Sequence, residues 1–281
     1  MKLHRSSPTV DEIVHLLSKW NESFRILHGT YSTIIETEAS KIKFAGAKFS
    51  NRVFIASQMI KKDVVNSDFG REIMQQSWNR SNYQNNELLQ PFRAKRVLNI
   101  DISGAYASCL RVNNLITDKT FNYLQRLKKD ERLPACGMLA RTYTVFTYEC
   151  GEITDVEVQR SATAQVFYYL IAEINNIMQA LQFELGKYFY FYWVDGIFFQ
   201  HNTPDSIVKA CEKILLSRGY RFKYELVENF SLSKNQDIYT IKMVKNGDSK
   251  IYKFTDSNIG RQITELLNEK AKQYNLQPGR A

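Results

Sequence analysis

Two stretches decide the fold: Val97-Leu-Asn-Ile-Asp101-Ile-Ser-Gly-Ala-Tyr106-Ala-Ser108 and Tyr188-Phe-Tyr-Phe-Tyr-Trp-Val-Asp195-Gly-Ile-Phe-Phe199. Each is a run of β-branched or aromatic residues that reads as a strand and carries an aspartate at or just beyond its end. An acid there is poorly placed for a core and well placed to hold a divalent metal at the edge of a sheet. Two such acids, with a long amphipathic helix before the second, suggest a two-metal phosphoryl-transfer site. Taken singly, Asp101 also suits a helix N-cap, and Asp195-Gly196 suits a type I′ turn.

The rest of the chain supplies the frame. Residues 9–27 are expected to be an amphipathic helix, from Ile13, Leu16, Leu17, Trp20 and Phe24. Residues 31–37 and 53–57 read as strands, with 42–44 a third, and 61–90 as a polar loop or weak helical linker. A strand then ends at Asp101. Helices are expected from Tyr106 and over 119–129, and a hairpin over 137–158 turns at Glu149-Cys-Gly-Glu152. The clearest helix is 161–185, where Val166, Leu170, Ile174, Ile177, Met178 and Leu181 trace one face and Gly186 ends it. A hairpin turning on Asp195-Gly196, a helix over 203–218, further strands with a turn at Asn246-Gly247, and a helix over 258–274 follow. Strands outnumber helices and come as hairpins, so the expected class is α+β with a largely antiparallel sheet packed with helices, plus a smaller N-terminal α/β extension. The expected division is an accessory region over 1–90, a catalytic domain over 91–255 and a C-terminal helix over 256–281.

Composition bounds the function. The 281 residues carry 44% hydrophobic and 24% charged residues with a net charge of +9, a globular balance that favours polyanionic partners, nucleic acid first. Cys109, Cys136, Cys150 and Cys211 are too widely spaced for a zinc element and read as reduced intracellular thiols. No apolar run approaches the ~20 residues of a membrane span, and the N-terminal residues lack a secretory apolar core. The expectation is a cytoplasmic protein, host-cytoplasmic if virus-encoded, with no membrane partner.

Asp101-Ile-Ser-Gly-Ala-Tyr106-Ala-Ser108 resembles motif A of family B DNA polymerases, Asp-x-x-Ser-Leu-Tyr-Pro-Ser, with glycine at 104 where the family has serine. The segment around Asp195 resembles motif C, Tyr-x-Asp-Thr-Asp-Ser-Ile-Phe. Asp195 falls on the second aspartate, Ile197 and Phe198 match, and Trp193 stands where the first aspartate would be. Lys250-Ile-Tyr252 has the look of the family's later Lys-x-Tyr element. The resemblance covers roughly residues 95–255 and implies a polymerase palm, with Asp101 and Asp195 as catalytic ligands of Mg²⁺ or Mn²⁺. It also implies Tyr106 as a gate against the ribose 2′-hydroxyl. The triphosphate needs cations, and Lys119, Arg126, Lys128, Lys129, Arg132, Arg141 and Arg160 are candidates, with Arg126, Lys128, Arg132 and Arg160 preferred. No Lys-x-x-x-Asn-Ser-x-Tyr-Gly fingers motif is present.

These readings imply a minimal template-dependent DNA polymerase-like nucleotidyltransferase acting with dNTPs on a DNA template and primer. Its size suggests a replication protein of a virus or mobile element, with a partner chain supplying fingers or thumb. Two alternatives stand beside it: a catalytically degenerate palm that binds nucleic acid or a replication partner, and a ribonuclease-H-like metal-dependent nuclease.

Overall fold

The structure, a computed structural model, describes residues 8–29, 32–45, 50–78, 91–235 and 238–255. It is α+β, with two antiparallel sheets and eight α-helices among the described residues. The first sheet contains β1 (Phe24–Gly29), β2 (Ser32–Thr37), β3 (Lys41–Ala45), β5 (Thr142–Glu149) and β6 (Glu152–Arg160), in the order β3-β2-β1-β5-β6. Helix α1 (Val10–Lys19) lays Val10, Ile13, Val14 and Leu17 against its Phe24, Ile26, Ile35 and Phe146. The β5–β6 turn is Cys150-Gly151 with φ of 52° and 83°, the two positive values that a type I′ hairpin turn requires.

The second sheet carries the candidate site. Its strands are β4 (Phe92–Ile102), β7 (Phe189–Trp193), β8 (Gly196–Gln200), β9 (Phe222–Asn235), β10 (Ile238–Lys245) and β11 (Asp248–Thr255), in the order β11-β10-β9-β4-β8-β7. One face is covered by helices. Its Ile100, Ile102, Tyr192, Ile197 and Phe199 pack into one core with α7 (Ala164–Leu185), whose Val166, Leu170, Ile174, Ile177, Met178 and Leu181 are all buried. This is the stripe that the helical periodicity predicts, and each such side chain contributes ~1.5–3 kcal/mol by leaving water. The other face holds an aromatic cluster of Phe191, Phe198 and Phe230 with Val97, Val227, Leu232, Ile241 and Met243. The sheet curls about that cluster: Trp193 on edge strand β7 and Tyr252 on the opposite edge strand β11 meet with ring centroids 5.0 Å apart. Arg96, at φ 54°, interrupts the alternation of β4, so Phe92 and Ala94 share this face with Val97.

Helices α2 (Asn51–Asn66), α3 (Asp68–Gln75), α4 (Ala105–Val112), α5 (Asp118–Gln125), α6 (Lys129–Gly137) and α8 (Asp205–Ser217) complete the helical layer. Three expectations change. Residues 53–57 are helix, because Val53, Ala56, Ile60 and Val64 fall on one helical face and are buried in the main core, which outweighs the strand preference of Val-Phe-Ile. Phe24 begins β1 rather than ending a helix, since its ring stacks on Tyr148 with centroids 4.4 Å apart. Residues 61–78, for which a polar loop or a weak helical linker is expected, are instead packed helix over most of their length: 61–66 continue α2 and 68–75 form α3, with Ile73 in the core. Strand pairing of β1 with β5, and the burial of Val53, Ile60 and Ile73 beside Ile100, carry both sheet and core across the expected boundary at residues 90 and 91. The helix expected over 258–274 and residues 79–90 of the expected loop lie outside the described residues. No helix among the described residues is long and apolar enough to cross a membrane.

Candidate metal and phosphate site

Asp101 sits one residue before the end of β4, opposite Gly196 on β8 and Lys223 on β9. The backbone N–H of Ile102 donates to the carbonyl of Asp195 at 2.9 Å, which ties the β7–β8 turn to the end of β4. That turn is Val194-Asp195, with Trp193 paired to Gly196, so Gly196 is the first residue of β8 and not part of the turn as the sequence suggested. The reason is close approach: a Cβ at Gly196 would lie 3.1 Å from Asn99 Oδ1 and 3.6 Å from Asp101 Oδ1. The left-handed position falls instead on Val194, φ 56°, where a β-branched side chain is strained by about 1–3 kcal/mol. Strain of that kind collects where a side chain must be aimed, and the residue it aims is Asp195.

After Asp101 the chain turns sharply into α4. Ser103 N–H donates to the Arg221 carbonyl at 2.8 Å, Gly104 takes a left-handed conformation (φ 59°, ψ 48°), and the buried Ser108 hydroxyl donates to the Ser103 carbonyl at 2.7 Å. These contacts fix the first turn of α4 beside Asp101, where residues 102–107 line the same space. The result is a cleft of about 220 Å³ lined by Asp101, the 102–107 segment, Lys129, Arg132, Leu133, Cys136, Asp195 and Lys223. The Arg132 guanidinium carbon would be 3.5 Å from a Cβ on Gly104, so a cation stands directly at the helix start. Tyr106 lines the cleft with its ring stacked on Phe167, centroids 5.4 Å apart.

The charges in this cleft are coupled. Burial, and then the charge of Asp101, push the Asp195 carboxyl up to about 6, although Lys129 and Lys223 pull the other way. Lys223 Nζ lies 3.3 Å from Asp101 Oδ2 and 2.8 Å from Glu225 Oε1. Partial burial raises Glu225, but hydrogen bonds from Lys223 and Lys245 outweigh it and bring it down to about 2. Two carboxylates lining one cleft, one held protonation-prone by burial and then by the charge of the other, are a donor set that suits a hard divalent cation. Among the described residues no group of three or more His, Cys, Asp or Glu side chains could hold a metal. A metal in this cleft could take Asp101 and Asp195 as carboxylate ligands, with water, main-chain oxygens and substrate phosphate oxygens in the other positions.

Of the residues singled out from sequence, Asp101, Asp195, Tyr106 and Arg132 come together in the cleft. Arg126, Lys128 and Arg160 are exposed and do not line it. Arg126 closes α5, where its carbonyl accepts from Arg52 Nη2 at 3.1 Å, Lys128 precedes α6, and Arg160 ends β6 in the other sheet. Lys250 and Tyr252 pair opposite Met243 and Ile241, whose side chains lie in the cluster on the Asp101 face of the sheet. Sequence reasoning missed Lys223 and Glu225. Their signal was alternation along the strand after Tyr220, which brings both to one face, but only the pairing of β9 with β4 sets that face beside Asp101. The four cysteines are free, with Cys109, Cys136 and Cys211 buried and Cys150 exposed. No protein-family model matches the sequence, and no curated protein matches it either.

Proposed function

We propose that the chain is a minimal palm-type nucleotidyltransferase that joins a primer 3′-hydroxyl to the α-phosphorus of a dNTP on a DNA template and releases pyrophosphate. One observation carries the reading: Asp101 and Asp195, on segments hydrogen-bonded to each other, face one cleft that also holds Arg132, Lys129, Lys223 and the start of α4. The likeness of these same segments to motifs A and C supports it. Arg132, Lys129 and the start of α4 line this cleft and would bind the triphosphate, because helix N-termini and guanidinium groups both favour phosphate oxygens. Tyr106 fills the space beside Asp101 and limits the sugar that can enter. Asp101 and Asp195 would hold Mg²⁺ or Mn²⁺, which when bound neutralises charge on the attacking and leaving oxygens. The basic balance of +9 suits a nucleic-acid partner. A replication role in a virus or mobile element, with a partner chain completing fingers or thumb, is the setting that fits this small palm.

A second reading has its own observation. The Lys223 ammonium lies 3.3 Å from Asp101, where it partly neutralises one of the two ligands, and a palm that has lost catalysis would keep such an ion pair. Primer extension with dNTPs and Mg²⁺ or Mn²⁺ separates the two. Incorporation that disappears in Asp101→Asn and Asp195→Asn supports the enzyme. Nucleic-acid binding without incorporation under either metal supports the degenerate palm.

A further inference from the structure

Lys223 is held between two carboxylates on neighbouring positions of one sheet face. Its Nζ is 2.8 Å from Glu225 Oε1 and 3.3 Å from Asp101 Oδ2, so the Glu225 contact is the shorter. Glu225 is itself clamped by Lys245 from β10 and accepts from Asn99 Nδ2 at 3.4 Å. Strand pairing fixes the whole set: Asp101 lies opposite Lys223, and Asn99 opposite Glu225, across β4 and β9. Lys223 is about half exposed, with 52% of its side chain open to solvent, whereas Asp101 and Glu225 are at 23% and 28%. The ammonium is thus a long, half-solvated arm between two shorter, less exposed carboxylates.

We propose that Lys223 is a resident counter-cation that competes with a divalent ion for Asp101, and that Glu225 is a positioning residue that draws Lys223 aside so that the ion can enter. This rests on the reading of Asp101 and Asp195 as metal ligands. With the site empty of divalent ion, the lysine screens Asp101 from Asp195 and limits their repulsion. A divalent ion held by Asp101 and Asp195 would displace the ammonium from its longer, 3.3 Å contact to Asp101, and the 2.8 Å contact to Glu225 would hold it aside. A half-exposed ion pair is worth ~1 kcal/mol or less, so the competition sets affinity within about a factor of five rather than abolishing it. Lys245 keeps Glu225 ionised and in place for that exchange, and Asn99 holds its other flank.

The test is calorimetric titration of the intact protein with Mn²⁺ alone at pH 7.5, without nucleotide or template. Lys223→Met should bind Mn²⁺ about two- to fivefold more tightly than the wild type, because the competing charge is gone. Glu225→Gln should bind about two- to fivefold more weakly, because Lys223 then turns wholly to Asp101. In the double variant the Glu225 effect should vanish, which separates an action through Lys223 from a general loosening of the sheet. Unchanged affinity in Lys223→Met, with binding still abolished by Asp101→Asn, overturns this proposal and leaves the metal site standing. No Mn²⁺ binding by the wild type overturns both. A Glu225→Gln effect that persists unchanged in the double variant also overturns the proposed route, and circular dichroism of each variant confirms that the fold is retained.

Discussion

Replacing Asp195 by asparagine should stabilise the fold at neutral pH, because the carboxylate is buried and stands near the charge of Asp101. The Asp195 carboxyl is raised to about 6 by burial and by the charge of Asp101, against about 3.9 in an unfolded chain. A folded value above the unfolded one means that the neutral acid contributes stability that is fully present below pH ~4 and is lost as the pH rises through about 6. At pH 7 the ionised group therefore costs up to ~3 kcal/mol, and its partial contact with solvent brings the net figure to ~1–3 kcal/mol. Asp195→Asn removes that charge without removing bulk. Thermal unfolding followed by circular dichroism across pH 4–8, in chelator, should show the two proteins alike near pH 4 and the variant more stable above pH 7. The difference should correspond to roughly 2–12 °C at ~2–4 °C per kcal/mol for a chain of this size. Added Mn²⁺ should then stabilise the wild type above pH 6 and leave the variant unmoved, because binding to the native state alone raises its stability. A variant less stable than the wild type at pH 7, or a gap that does not change with pH, refutes the idea that the two aspartates repel each other across an empty cation site.

Other substitutions test the neighbouring parts. Arg132→Ala should weaken dNTP binding by about tenfold in a fluorescence titration while leaving the melting temperature within a few degrees, since a charged hydrogen bond of ~1.5 kcal/mol is lost at the cleft and not in the core. Tyr106→Ala should raise ribonucleotide incorporation relative to deoxyribonucleotide, whereas Tyr106→Phe should keep the wild-type ratio; equal ratios in all three proteins mean that the ring only packs on Phe167. Val194→Gly should relieve the left-handed strain at φ 56° and stabilise the fold by ~1 kcal/mol, read from denaturant midpoints, while lowering activity because the turn no longer fixes Asp195.

What could be read from the chain follows the range of the forces involved. The α7 stripe was legible because its helical period repeats over 22 residues, more than one could expect by accident. The hairpins at Cys150-Gly151 and Asn246-Gly247 were legible because positive φ is a local demand, met here by φ of 52°, 83°, 48° and 81°. Both acids are legible because each lies at or just beyond the end of a strand-like hydrophobic run. The α2 segment was misread because Val53-Phe54-Ile55 has strand-like composition over three residues, and only the spacing through Val64 shows the helix. The β7–β8 turn was assigned one residue late. Asp-Gly is the commoner turn pair, but the bond from Ile102 to Asp195 and the contact of Gly196 with Asn99 are made with β4, far away in sequence. Lys223 was invisible for the same reason: its role depends on which strand β9 pairs with, and neither periodicity nor composition encodes that choice. Arg126, Lys128 and Arg160 carry the charge that a triphosphate needs and follow Asp101 in the chain, but charge and chain order do not separate an arginine in the cleft from one on an outer surface.

The central claim is that Asp101 and Asp195 form one catalytic cation site. The most direct measurement is single-nucleotide extension of a labelled primer on a DNA template, with Mg²⁺ or Mn²⁺, comparing wild type, Asp101→Asn and Asp195→Asn. The account predicts metal-dependent addition of the templated dNTP by the wild type, and a loss of at least a hundredfold in each variant although both remain folded. Two variants that extend as fast as the wild type, or a wild type that adds no nucleotide under either metal, would contradict it.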